Sequence, residues 1–145
     1  MEIESFVADL QRSIDYRDQI EHVARLPARK ADYGEIHEPL HPALVSALKQ
    51  AGIRRFYSHQ ASAINKSLEG SHVVVATSTA SGKSLCYNIP VLHTVLNNPA
   101  KRALYLFPTK ALAQDQLRKL RDLNLPDGPQ VGIYDGDTPL AERRA

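Results

Sequence analysis

Apolar residues recur at helical spacing near the start of the chain. Ile3, Phe6, Val7, Leu10 and Ile14 fall on one face and predict a helix over residues 3–14. The pattern then breaks. Pro27, Gly34, Pro39 and Pro42 punctuate the stretch from Leu26 onward, which reads as a linker or extended arm. Pro42 suits the first position of a second helix, which carries Leu44, Val45, Leu48 and Ala51 and stops at Gly52. A third helix is expected over residues 58–68, ended by Gly70.

From there the pattern changes character. His72-Val73-Val74-Val75-Ala76 is short, apolar and β-branched, with no polar alternation, so it predicts a strand buried on both faces. A helix follows over residues 82–97, with Pro90 as an expected kink or early boundary. Residues 103–107 predict a second buried strand, residues 109–123 a helix with Leu112, Ala113, Leu117 and Leu120 inward, and residues 131–134 a third strand. Thr138 and Pro139 carry the signature of a further helix start, as N-cap and first-turn proline. Strands alternating with helices imply an α/β fold, a parallel sheet with helices on its faces. Three strands make a small sheet, and the last helix opens just before Ala145 with no stop signal. The expectation is therefore a fragment whose partner segments lie beyond residue 145.

Composition narrows the class only a little. The chain has 145 residues, 43% hydrophobic and 23% charged, enough for one domain with a real core. A net charge of +2 leaves room for a local basic patch and no more. A single cysteine, Cys86, excludes an internal disulfide and a cysteine-rich zinc cluster. It reads as a small packing residue one turn into a helix. His37 and His41 are four apart, but Pro39 between them argues against a shared helical face. No run approaches the roughly 18 apolar residues of a membrane helix, and the start lacks a secretory pattern. A cytoplasmic protein without a membrane partner is expected.

The chemistry concentrates at Thr77-Ser78-Thr79-Ala80-Ser81-Gly82-Lys83-Ser84, which follows a predicted strand and opens a predicted helix. Small residues let the backbone curl so that its N–H groups face phosphate oxygens, and the helix N-terminus adds partial positive charge. Lys83 reaches β- and γ-phosphates as a mobile charge, and the Ser84 hydroxyl suits magnesium. Thr77 stands where the general G-x-x-x-x-G-K-[ST] pattern has its first glycine.

The runs Tyr57-Ser58-His59-Gln60, Val75 through Tyr87, Leu104 through Gln116, and Tyr134-Asp135-Gly136-Asp137-Thr138-Pro139 together resemble the first, RecA-like motor domain of superfamily 2 helicases. More narrowly, they resemble the DEAD/DEAH-like repair helicases of the YprA/MrfA and Hrq type, over roughly residues 40–145. The resemblance implies a helical extension at 1–40 and the N-terminal part of a RecA-like ATP-binding domain at 41–145. It implies an ATP-dependent DNA helicase that couples ATP hydrolysis to translocation in DNA repair, with ATP and Mg2+ as cofactors. Single-stranded DNA and a second RecA-like domain are the implied partners.

The resemblance also assigns residues. Gln60 reads the adenine edge, with Tyr57 or Phe56 beside the base. Thr79, Ala80, Ser81, Gly82, Lys83, Ser84 and Leu85 hold the nucleotide. Pro108, Thr109 and Lys110 touch the nucleic-acid backbone, and Thr138 supports that contact. Ser78 stands where the family pattern has glycine, and serine tolerates positive φ less well. The acidic box of the family is absent, and with the second motor domain it is expected beyond residue 145. Two rivals remain: another P-loop enzyme such as a kinase or transport ATPase, or a truncated or degenerate nucleic-acid-binding module without ATPase activity.

Overall fold

The computed structural model describes residues 2–28, 30–126, 128–139 and 141, and these form two compact units, Met1–Lys30 and Ala31–Ala145. In the first unit, α1 (Ile3–Arg12) stands by itself as a helix with Glu4 in its first turn and Arg12 in its last, both favourable to the helix dipole. It stops two residues short of expectation. Ser13 leaves helical ψ, and its hydroxyl accepts a hydrogen bond from Asp15 N at 3.3 Å, a local alternative to another helical turn.

The second unit is built on three helices, α2 (Pro42–Gln50), α3 (Ser58–Leu68) and α4 (Lys83–Asn97). Leu44 and Leu48 of α2, Ile64 of α3, and Ile89 and Leu92 of α4 meet in one buried cluster. Pro90 does not end α4. Its missing N–H removes one helical hydrogen bond, but Pro90 is itself buried between Ile89 and the Leu92 turn, and packing carries the helix through.

The expected linker is more ordered than its prolines suggest. β1 (Tyr33–Gly34) pairs antiparallel with β2 (Phe56–Tyr57), Tyr33 opposite Tyr57. A Cβ on Gly34 would lie 2.8 Å from the Ala61 Cβ, so only glycine lets this strap lie flat on α3. The strap is then fastened twice. The buried Asn65 side chain accepts from His37 N at 3.0 Å and donates to Glu35 O at 2.9 Å. His93 Nδ1 accepts from His41 N at 3.0 Å, while His41 itself caps α2 through Ala43 N.

Among the described residues the three predicted strands form no ladder, and the parallel sheet is not present. Burial on both faces is also overturned. Val74 is 95% exposed, Leu104 85% and Leu106 83%. Their neighbours Val75, Tyr105, Phe107, Val131 and Ile133 are half-buried. Covering is therefore partial and confined to these positions. A strand buried twice needs a helical layer on each side, and only one is supplied here: Tyr87 of α4 meets Tyr105 edge-on at 5.8 Å. Helix α5 (Lys110–Asp122) joins that layer through Tyr87 Oη, which donates to the buried Gln116 at 3.0 Å. The helix expected after Thr138 falls mainly on residues 140 and 142–145, outside the described ones.

Ile64 sits at the centre of this packing with no exposed surface. Ile64→Ala should lower the unfolding free energy by about 2–5 kcal/mol in urea denaturation. Phe6→Ala on α1, whose ring is half open to water, should change it by less than about 1 kcal/mol.

Candidate functional site

Everything at the phosphate-loop motif is arranged around the step from loop to helix. Gly82 is the N-cap of α4 in the left-handed region, φ 75°. A Cβ there would strike the Gln60 amide nitrogen, so glycine is required both by backbone and by space. Ser78, the position where glycine was expected to matter, does not adopt positive φ. The second left-handed residue is Ala80, φ 59°. An L-residue there costs about 1–2 kcal/mol, a strain kept at the crest of the loop.

Lys83 is the first residue of α4, yet its side chain folds back into the loop. Its ammonium donates to Thr77 O at 3.0 Å and Ser78 O at 2.5 Å, with Ser81 Oγ at 3.5 Å. Thr77 gives the loop a feature the glycine it replaces could not: its hydroxyl meets Ser81 Oγ at 2.6 Å and closes the neck. Thr79 lies on the exposed crest beside Ala80. Ser84, at the second helical position, is half-buried. Leu85 directs its side chain to the hydrophobic cluster, and its N–H bonds to Gly82 O at 3.1 Å. The orphan amides of the α4 N-terminus and the ammonium of Lys83 therefore belong to the same short turn, a donor set suited to phosphate.

Gln60 is the hinge between α3 and this loop. It is 3% exposed. Its Oε1 accepts from Tyr57 N at 3.0 Å, which closes the first turn of α3. Its Nε2 donates to Gly82 O at 3.1 Å and Ser81 O at 3.4 Å. Both ends of the amide are engaged by backbone of this chain. Phe56 packs on the core, and Tyr57 stacks on Tyr33 at 5.4 Å and on His59 at 6.0 Å. The sequence reading overlooked His59, whose Nε2–H donates to Ser81 O at 3.0 Å. Its place beside Gln60 was the only available signal.

The residues expected to meet nucleic acid form a second cluster. Pro108 is exposed, and Thr109 caps α5, its Oγ1 accepting from Leu112 N at 3.2 Å. Lys110, the first residue of α5, pairs with the exposed Asp137 carboxylate, a hydrogen bond that raises its pKa above the ordinary lysine value. Asp137 is presented by a tight turn. Thr138 Oγ1 accepts from Asp135 N at 2.8 Å, and Asp135 Oδ1 accepts from Asp137 N at 2.9 Å. Cys86 is buried, and desolvation pushes its thiol pKa up, which suits packing and opposes nucleophilic use. Burial pushes the Tyr105 hydroxyl up to about 12.

Comparison with known proteins shows the family. The DEAD/DEAH box helicase family matches residues 57–145. The ATP-dependent helicase hrq1 of Schizosaccharomyces pombe is 41% identical over 99% of this chain, which spans 14% of that protein. The uncharacterized ATP-dependent helicase YprA of Bacillus subtilis is 43% identical over 80% of the chain and 16% of its own length. The crystal structure of the DUF1998 helicase MrfA bound to DNA and AMPPNP superposes with a TM-score of 0.76 at 36% identity, covering 99% of this chain and 20% of that one.

The strain at the loop predicts opposite responses. Ala80→Gly should raise the unfolding free energy by up to about 1 kcal/mol, because it removes a left-handed Cβ. Gly82→Ala should lower it by about 1–3 kcal/mol, because it adds both strain and the clash with Gln60. Denaturation of the two variants side by side checks the sign.

Proposed function

The chain belongs to the DEAD/DEAH box helicase family, and on that premise we propose that it is the ATP-binding front of a DNA helicase that couples ATP hydrolysis to translocation on single-stranded DNA. A DNA-repair setting follows from the same resemblance. The supporting observation is the left-handed Gly82 cap at the α4 N-terminus with the Lys83 ammonium turned back onto the loop, in a chain that superposes on a helicase bound to DNA and a nucleotide analogue.

In this reading Ser81, Gly82, Lys83 and Ser84 offer backbone N–H groups to the phosphates, with Thr79 and Ala80 at the crest, while Leu85, whose N–H is held by Gly82 O, anchors the turn to the core. Lys83 exchanges its loop carbonyls for phosphate oxygens. Ser84 holds magnesium, which when bound neutralises triphosphate charge. Gln60 has both amide ends on backbone, so an adenine contact requires it to share or release one of them. Thr109 and Lys110, at the N-terminus of α5, hold a DNA phosphate, with Pro108 and Thr138 shaping the turns around them.

In the longer protein, residues 72–76, 103–107 and 131–134 take their places as strands of a parallel RecA-like sheet belonging to residues 41–145, with residues 1–40 as an extension before it. Their open faces fit a sheet completed by other parts of a longer protein, since the chain spans 14–20% of hrq1, YprA and MrfA. Those parts would include the acidic box and the second RecA-like domain that hydrolysis needs, so this stretch alone turns over little ATP.

Calorimetric titration of Mg·ADP tests the nucleotide reading. Saturable binding by the wild type, weakened at least about tenfold in Lys83→Ala, is the expected result. A folded wild type that binds no nucleotide, here and in a longer chain carrying the acidic box, would sink it. The DNA reading has a separate test. Asp137→Asn frees Lys110, so single-stranded DNA should bind more tightly at low salt. Its log K against log salt should steepen by about 0.7. Lys110→Ala should flatten the same slope.

A further inference from the structure

We propose that His59 is a positioning residue for phosphate recognition: its imidazole holds the Ser81 carbonyl so that the Gly82 N–H faces the ligand. The inference rests on the phosphate-loop reading and adds to it a residue that does not itself touch the nucleotide.

The argument starts at the peptide between Ser81 and Gly82. A carbonyl only accepts, so the nitrogen facing Ser81 O at 3.0 Å carries a proton, which fixes His59 as an Nε2–H donor. No cis peptide occurs among the described residues. In a trans peptide the C=O and the following N–H point in opposite directions. Holding Ser81 O towards α3 therefore turns the Gly82 N–H away from α3, where it is open to a ligand. Gln60 does the same one residue later: it holds Gly82 O, and so turns the Lys83 N–H. Two adjacent side chains on α3 thus orient two successive amides, the arrangement of an anion-binding nest.

Gln60 is pinned by its own burial and by the Tyr57 N–H. His59 is pinned differently. Its ring lies 8° from parallel with Tyr57, Tyr57 lies 7° from parallel with Tyr33, and the Arg55 guanidinium sits 3.9 Å over the Tyr33 ring. Tyr33 and Tyr57 are register partners in the β1–β2 pair. The plane of the imidazole is set by a stack rooted in that ladder, and the stack delivers Nε2 to the loop.

The decisive variant is His59→Phe, which keeps an aromatic ring on Tyr57 and removes the donor. His59→Gln keeps a donor near the Nε2 position and serves as the rescue. Two ligands separate the roles: Mg·tripolyphosphate, which has no base, and Mg·ADP. We expect His59→Phe to weaken both by the same factor, about tenfold, and His59→Gln to recover most of the loss. In ligand-free protein, the Gly82 amide resonance should move in His59→Phe and return towards its wild-type position in His59→Gln, with the unfolding midpoint as a check on folding. A loss confined to ADP would mean that His59 acts on the base, and would overturn the proposal. Unchanged affinity for both ligands, or an unmoved Gly82 resonance, would also overturn it. A wild type that binds neither ligand while Gly82 still responds to His59→Phe would remove the phosphate-loop reading and leave only the hold on the loop.

Discussion

The carboxamide of Gln60 carries more of this structure than any other polar group. One end closes the first turn of α3, and the other holds the carbonyl that caps α4. Helix and loop are thereby joined by a single rigid plane of atoms inside the protein, where an amide left unpaired would cost about 1–3 kcal/mol. Gly82 exists in its present form because of this: the space a side chain would need is the space the amide fills. The α2–α3–α4 cluster fixes where α3 runs, Gln60 transmits that position to the loop, and the loop sets the direction in which α4 begins.

Much of this was legible from local rules. α3 matches its predicted span, and α2 starts at the expected Pro42. The lysine and serine after Gly82 open a helix, as the motif demands. Such features depend on residues close in sequence, and sequence patterns report them well. The failures share another cause. Two-residue strands carry no period, so the Tyr33–Gly34 pairing could not be seen in the apparent linker. Pro90 looked like a boundary because its local cost is visible in the sequence, while the packing that outweighs it is not. Val74, Leu104 and Leu106 looked buried because their apolarity is real. Burial, however, is a property of the layers on either side, and sequence apolarity does not say which of those layers are at hand.

The candidate site was legible in its anchors and not in its geometry. Lys83 and Ser84 followed from the loop motif and open α4 as it requires, while Gln60 followed only from the family resemblance and lies on α3. The left-handed residue proved to be Ala80 rather than Ser78, because the loop's path is set by the closure between Thr77 and Ser81 and by the pull of Lys83. His59 carried no motif of its own. The two acidic residues of the Asp135–Thr138 turn had no assigned partner in the sequence, and Asp137 turns out to face Lys110.

The backward fold of Lys83 has a consequence for how the loop meets an anion. The loop does not wait with a bare charge, because its own cation is already liganded by two backbone oxygens. Arrival of a phosphate is therefore an exchange of oxygen ligands around one ammonium rather than the addition of a partner to a bare charge. What remains as driving force is the difference between a charged oxygen and a carbonyl. A loop of this kind discriminates by ligand charge, so neutral hydrogen-bonding molecules have little means of dislodging the lysine.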